Sequence, residues 1–156
     1  MAMQHFIYCE TTGWIGSIGL LVLRLVMGAA FLFHGWPKIQ NPMEWMGPAA
    51  TIPSVFQALA ALAEFGGGIA LILGFLTRLA SLGIASVMVV AVFMVHLPQG
   101  DPFVARGGGG SYELATVYLA CSVLFLLLGP GRISLDALFF GAHAKAPATA
   151  GSSSGD

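Results

Sequence analysis

Two charged residues lie deep inside apolar stretches of this sequence, and such residues are the first candidates for chemistry. Arg24 lies within the stretch 12–36 and Glu64 within the stretch 54–76. A charge at the centre of a membrane helix costs about 2.5–3.5 kcal/mol on insertion scales, so it needs a partner or a polar cavity. Because both residues lie near mid-depth, we expect Arg24 and Glu64 to pair between two helices. Such a pair either fixes the helix register or holds a ligand or a proton.

A second group of ionisable residues falls near one end of the apolar stretches. His34, His96 and Glu113 lie on three separate stretches, and Lys38 follows His34 by one helical turn. Histidine titrates near neutral pH, which suits proton transfer coupled to redox chemistry. His34, His96 and Glu113 are therefore the candidate catalytic residues, although each histidine taken alone also suits contact with lipid headgroups. No close H-x-x-x-H or E-x-x-H spacing supports a metal site, so no metal is expected.

The composition indicates an integral membrane protein. Of the 156 residues, 57% are hydrophobic and only 8% are charged, whereas soluble domains carry about 25% charged residues. The formal net charge of −1 gives no support for a nucleic-acid partner. Cys9 and Cys121 are far apart and form no C-x-x-C motif, so a dithiol redox centre is not expected, and Cys121 is interpreted as a small buried hydrophobic residue.

Four stretches are long enough to cross a bilayer, which needs about 20 apolar residues. They predict an all-α, four-helix membrane bundle occupying 14–141, with spans at about 14–35, 54–75, 78–97 and 112–129. The first span is expected to stop at Pro37 and Lys38. No Lys or Arg precedes Arg24, so the N-terminal segment 1–13 does not resemble a signal peptide, and the first span is expected to be retained.

The arrangement of the connections predicts which side each end faces. With four spans, the two long connections lie on one side, and both termini lie on the other. Lys and Arg slightly favour the terminal side, which predicts cytoplasmic termini. After the last span, Arg132 and Asp136 are spaced i,i+4 in a short helix expected at the membrane interface. The tail 142–156 is small and polar and is predicted to be disordered.

Several segments of the chain resemble the DoxX family of small four-span bacterial membrane proteins. They are LRLVMGAAFLFHGWPKI (23–39), AALAEFGGGIALILGFLTRLASLGIA (60–85), VAVFMVH (90–96), GSYELATVYLA (110–120) and GPGRISLD (129–136). The resemblance implies a four-span inner-membrane fold and a redox-linked role. Relatives of this fold include a subunit of a thiosulfate:quinone oxidoreductase and partners in thiol-redox complexes or oxidative-stress defence. Some relatives carry a Cys pair, which this chain lacks.

Two functions from different classes remain open on the sequence. The first is a redox-associated protein that binds a quinone-like or other lipophilic ligand in a polar pocket. His34 and His96 would donate or relay protons, Glu113 would orient one of them or accept a proton, and Arg24 and Glu64 would form the pocket's base. The second is a non-catalytic accessory subunit of a larger membrane complex, with the small pair Ser81 and Ala85 as one helix contact. A small transporter is less well supported, because no inverted repeat or broken span is visible.

Overall fold

Five helices make up the part of the chain that this computed structural model describes, residues 12–144. Helix α1 spans Trp14–Gln40, α2 Ser54–Leu73, α3 Thr77–Gln99, α4 Glu113–Leu128 and α5 Leu135–Ala144. No β-strand occurs in this range, so the predicted all-α membrane bundle is confirmed. The N-terminal segment with Cys9, and the tail beyond residue 144, lie outside the described residues.

Three of the helices are long and apolar enough to cross a membrane by length and composition, namely α1, α2 and α3. Helix α4 is apolar but has only 16 residues, so it is about 24 Å long, whereas the hydrocarbon core of a bilayer is about 30 Å thick. Within α3, the segment Ala91–His96 is π-helical. Such wide turns are rare and often accompany functional sites.

The helices pack in chain order, with α1 against α2, α2 against α3 and α3 against α4. The bundle closes where Phe31 of α1 meets Tyr118 of α4, with ring centroids 4.9 Å apart. The connections 41–53 and 100–112 share one end of the bundle, called here the loop end. The α2–α3 turn and the segment 129–134 share the other, called the terminal end. The core consists of Leu20, Met27, Phe31, Leu71, Ile84, Met88, Val92, Ala115 and Phe125.

Glycines bring α1 and α2 into backbone contact. A Cβ atom on Gly68 would lie 2.9 Å from the carbonyl oxygen of Gly28 and from the backbone nitrogen of Leu32. A Cβ atom on Gly35 would lie 2.5 Å from the backbone nitrogen of Phe65. Because no side chain fits at these positions, the two helices approach as closely as their backbones allow.

Helix α1 continues beyond the point at which the sequence predicted its end. The prediction of a stop at Pro37 and Lys38 is wrong, because α1 runs on to Gln40. Proline removes one i→i−4 hydrogen bond, but the helix continues through Pro37 for three more residues. The extra turn carries Lys38 to its partner on α2, described below.

Candidate functional site

Glu64 forms a buried ion pair with Lys38 at the loop end. Lys38 Nζ donates to both carboxylate oxygens of Glu64, at 2.5 and 2.7 Å. The Glu64 side chain is only 2% exposed and that of Lys38 is 23% exposed. Lys38 Nζ also lies 4.5 Å from the ring centroid of Trp45, which is a cation–π distance. Both charges are therefore compensated, and the predicted pair between Arg24 and Glu64 does not form.

The stagger of α1 against α2 explains why that prediction fails. Gly28 faces Gly68 and Ile72, and Gly35 faces Phe65. This register brings Glu64 level with the last turns of α1, and Lys38 lies fourteen positions after Arg24, or about 21 Å along the helix. The depth predicted for Arg24 was counted from the start of its apolar stretch. It was wrong because the first turns of α1 extend past the end of α2.

Arg24 lies at the terminal end, where it is fully buried. Its Nη2 donates to the carbonyl oxygen of Ile133, in the segment that follows α4. Its guanidinium fills the space beside Gly74, where a Cβ atom would collide with Nη1. A deep charge bound to a backbone carbonyl is one of the arrangements that membrane interiors tolerate. The interpretation of Arg24 as part of a pocket base beside Glu64 is therefore corrected to a contact at the opposite end.

Asp136 completes the terminal end, and it too is fully buried. Its carboxylate accepts hydrogen bonds from the backbone nitrogens of Leu76 at 2.7 Å and Thr77 at 2.9 Å, where α3 begins. Its own backbone nitrogen donates to the carbonyl oxygen of Gly74 at 2.9 Å. The sequence suggested an i,i+4 pair within one helix, but α5 begins at Leu135 and Arg132 precedes it. Asp136 is instead a long-range cap of α3.

The segment 129–136 runs along the first turns of α1. The backbone nitrogen of Arg132 donates to Ser17 Oγ at 3.1 Å. Ser134 Oγ donates to the carbonyl oxygen of Gly131 at 2.8 Å. The Arg132 guanidinium lies 5.4 Å from the ring centroid of Trp14. Non-helical backbone at membrane depth needs such internal partners, because lipid supplies none.

Gln57 fastens the connection 41–53 over the Lys38–Glu64 pair. The Trp45 indole donates to the Gln57 carbonyl oxygen at 2.9 Å, and the Gln57 side chain binds the backbones of Met46 and Ile52. Sequence reasoning did not single out Gln57. Its signal was an amide in the first turn of an otherwise apolar helix. An open cleft of about 620 Å³ lies beside it, lined mainly by the connection itself.

His34 lies on the exposed side of α1, near the loop end. Its ring centroid is 6.3 Å from that of Phe31 and 6.2 Å from that of Tyr118. These three residues are called here the ring cluster. Among the side chains described, those of residues 12–141, none forms a hydrogen bond or ion pair with the imidazole of His34. Sequence reasoning missed Tyr118, whose role depends on α1 and α4 meeting.

His96 ends the π-helical segment of α3 and pairs with Asp101. Its Nδ1 lies 2.7 Å from Asp101 Oδ2, and the two side chains are 26% and 18% exposed. A Cβ atom on Gly110 would collide with this carboxylate. The connection after α3 therefore folds back against Asp101. Asp101 was not identified from the sequence, since its position in a Gly-rich connection gave no helical register.

Glu113 is exposed at the start of α4, and its carboxylate has no hydrogen-bond or ion-pair partner among the described residues. It precedes Tyr118 by five positions, which places it about 140° away around the helix. The structure thus puts His34 in the ring cluster, His96 with Asp101, and Glu113 alone, with no polar contact linking the three in this part of the chain. Among the side chains that the structure describes, within residues 12–141, no group of three or more His, Cys, Asp or Glu is placed to hold a metal ion.

The all-helical architecture, with three helices able to cross a bilayer, defines a multi-pass membrane protein. A family model described as DoxX matches residues 19–97, which include Arg24, His34, Lys38, Glu64 and His96. The chain belongs to the DoxX family, as its resemblance indicated.

Several relatives align with most of the chain. It is 35% identical over 131 residues to the inner membrane protein YqjF of Escherichia coli (strain K12), covering 78% of this chain and 92% of that protein. It is 32% identical over 123 residues to an uncharacterized protein of Haemophilus influenzae, covering 78% and 90%. It is 29% identical over 127 residues to a Bacillus subtilis (strain 168) protein named "Putative oxidoreductase CatD", covering 80% and 89%. No solved structure gives a significant match.

Proposed function

We propose that this DoxX-family protein has a redox-associated role in the bacterial inner membrane and binds a quinone-like ligand at the ring cluster. The observation that carries the proposal is the His34 imidazole, which is exposed, lies against two aromatic rings and has no polar partner among the described residues. A quinone head group needs flat apolar walls and a hydrogen-bonding group at its carbonyl oxygen. Tyr118, which is half-buried, supplies an accessible wall, the buried ring of Phe31 backs it, and His34 supplies the hydrogen bond.

The contact between α1 and α4 is where a lipid-soluble ligand would enter from the bilayer. Glycines bring the backbones of α1 and α2 into contact, whereas α1 meets α4 through the rings of Phe31, His34 and Tyr118. Ring side chains can rotate to admit another flat ring, but a glycine-lined backbone contact cannot. Phe33 is exposed on the neighbouring face of α1, and Trp36 packs against Phe65 of α2 with ring centroids 5.8 Å apart.

Proton transfer in this proposal runs through the histidines. His34 would exchange a proton with the ligand's carbonyl or hydroxyl oxygen, because imidazole both donates and accepts near neutral pH. Asp101 holds Nδ1 of His96, which favours proton relay at Nε2, and Glu113 would accept protons at the water-facing start of α4. The Lys38–Glu64 pair holds the last turn of α1, and therefore His34, in register against α2.

Three further observations support the location and the redox assignment. The YqjF relative is named an inner membrane protein, and the CatD relative carries an oxidoreductase name. In the sequence, Lys and Arg flank the terminal end three times (Arg78, Arg132, Lys145) and the loop end twice (Lys38, Arg106), which favours cytoplasmic termini and an outward-facing loop end. The ring cluster then lies in the outer half of the bilayer.

An accessory role in a larger complex is the alternative. The sequence offered the Ser81–Ala85 pair as a helix contact, either within the bundle or with a partner. These residues are 0% and 8% exposed, so their contact lies inside this chain. A stable stoichiometric partner after extraction in mild detergent would favour this alternative.

Quantification of bound quinone tests the proposal. The protein is purified in mild detergent, its lipids are extracted, and quinones are measured by mass spectrometry. We expect a molar fraction of quinone in the wild type, a loss in His34→Ala, and retention in His96→Ala, which leaves the ring cluster intact. Equal quinone in the wild type and His34→Ala would contradict the proposal, as would a wild-type content no higher than in an unrelated membrane protein purified alongside.

A further inference from the structure

We infer that the terminal half of the bundle encloses a hydrated site, in which bound water completes the hydrogen bonds of Arg24. The Arg24 side chain is fully buried, and its Nη2 donates to Ile133. Its Nε and Nη1 have no partner among the described residues. A buried donor left without a partner costs about 1–3 kcal/mol, and more when it is charged. The missing partner is therefore a small molecule held inside the bundle.

Two hydroxyl groups on α3 independently show the same deficit. Thr77 Oγ1 and Ser81 Oγ are buried and have no partner in the described part of the chain. They lie one turn apart on the same helix face, which looks into the bundle. The backbone nitrogen of Thr77 is bound by Asp136, the carboxylate that acts electrostatically on Arg24. Arg24 and Thr77 thus lie near one carboxylate at the terminal end, and Ser81 lies one turn farther along α3.

Other buried hydroxyl groups show that this deficit is local. Ser122 Oγ donates to the carbonyl oxygen of Tyr118 at 2.8 Å, and Ser17 Oγ accepts from the backbone nitrogen of Arg132 at 3.1 Å. Both serines are as fully buried as Thr77 and Ser81. The chain therefore pairs a buried hydroxyl where the fold provides a partner, and Thr77 and Ser81 lack one.

The donor and acceptor requirements identify the ligand as water. The guanidinium supplies donors only, whereas the hydroxyl groups can both donate and accept. A bound molecule must accept from Arg24 and exchange hydrogen bonds with hydroxyl groups, and buried water usually makes about three such bonds. An anion is disfavoured because Asp136, itself buried, carries a negative charge at the same place.

Matched substitutions in the full-length protein test the inference through the midpoint of unfolding in detergent. Ser81→Ala and Thr77→Val each remove one hydroxyl with little change of shape. If water is bound, each lowers the midpoint, and the double variant loses less than the two losses added together. Ser122→Ala, whose hydroxyl binds its own helix, is the control for loss of a buried hydroxyl. Unchanged or raised midpoints in Ser81→Ala and Thr77→Val would overturn the inference, because removal of an unpaired hydroxyl does not destabilise.

Two further measurements distinguish bound water from a bound anion and from a protein atom in its place. Replacing gluconate in the buffer by chloride, at constant ionic strength, should leave the unfolding midpoint of the wild type unchanged. A rise with chloride that Arg24→Met abolishes would overturn the inference in favour of an anion site, because a ligand that binds only the folded state stabilises it. A crystal structure that resolves water should show density within hydrogen-bond distance of Arg24 Nε. A protein atom in that position would also overturn the inference.

Discussion

Lys38 and Glu64 are joined by two hydrogen bonds of 2.5 and 2.7 Å, although they lie on different helices and 26 positions apart. The pair ties the last turn of α1 to the middle of α2, and Trp45 closes over the ammonium group. It lies at the end of the bundle that carries His34. The position of the proposed ligand site along α1 therefore depends on this pair.

Lys38→Met should strongly destabilise the protein. It leaves the Glu64 carboxylate buried without its cation, and removal of one partner of a buried pair costs about 3–5 kcal/mol. We expect the low end of this range, because the Lys38 side chain is 23% exposed and water can reach the site. The free energy of unfolding in a detergent titration measures the loss.

The double variant Lys38→Met/Glu64→Leu should regain most of that stability, because no uncompensated charge remains. Glu44→Gln is the matched control, since Glu44 is exposed in the neighbouring connection. Lys38→Met with wild-type stability, or a double variant no more stable than Lys38→Met, would argue against a structural role for the pair.

Two glycines on α1 should respond oppositely to alanine. A Cβ atom at Gly28 would lie 2.8 Å from the carbonyl oxygen of Gly68, whereas at Gly19 it would meet nothing within 4 Å. Gly28→Ala should therefore cost about 1–3 kcal/mol through overpacking. Gly19→Ala should stabilise α1 by up to about 1 kcal/mol, since alanine favours the helix. Unfolding midpoints measure both, and a tolerant Gly28→Ala would contradict the described α1–α2 contact.

Asp136→Ala should weaken the start of α3. It removes the acceptor for the backbone nitrogens of Leu76 and Thr77, and loss of a helix cap costs about 0.5–2 kcal/mol. The result should be faster hydrogen–deuterium exchange in the first turn of α3, with little change in α4. Asp136→Asn keeps one acceptor oxygen and should give an intermediate effect. Unchanged exchange at Thr77 in Asp136→Ala would contradict the capping role.

The sequence located the helices and the polar residues well, because hydropathy and helix length act locally. It failed on partners, since these depend on how one helix is displaced along another. Glu64 was predicted to pair with Arg24 on depth alone. The glycine contacts between α1 and α2 set a different stagger, which places Lys38 beside Glu64. That stagger depends on the fit of two backbones, which no property of a single stretch reveals.

The candidate site shows the same limit. His34 and His96 stood out because a histidine is conspicuous in an apolar stretch. Tyr118 and Asp101 did not, because their relevance arises only when α4 closes on α1 and when the connection after α3 folds back. Asp136 is the clearest case, as it caps a helix that begins some sixty positions earlier in the chain.

Photolabelling with an azido-quinone most directly tests the central claim, that a quinone-like ligand binds at the ring cluster. After illumination of the protein in membranes, mass spectrometry locates the label. We expect labelled residues on α1 around His34 and on α4 around Tyr118, competition by excess unlabelled quinone, and loss of this labelling in His34→Ala. Labelling confined to other helices, or labelling at these positions that excess quinone leaves unchanged, would contradict the claim.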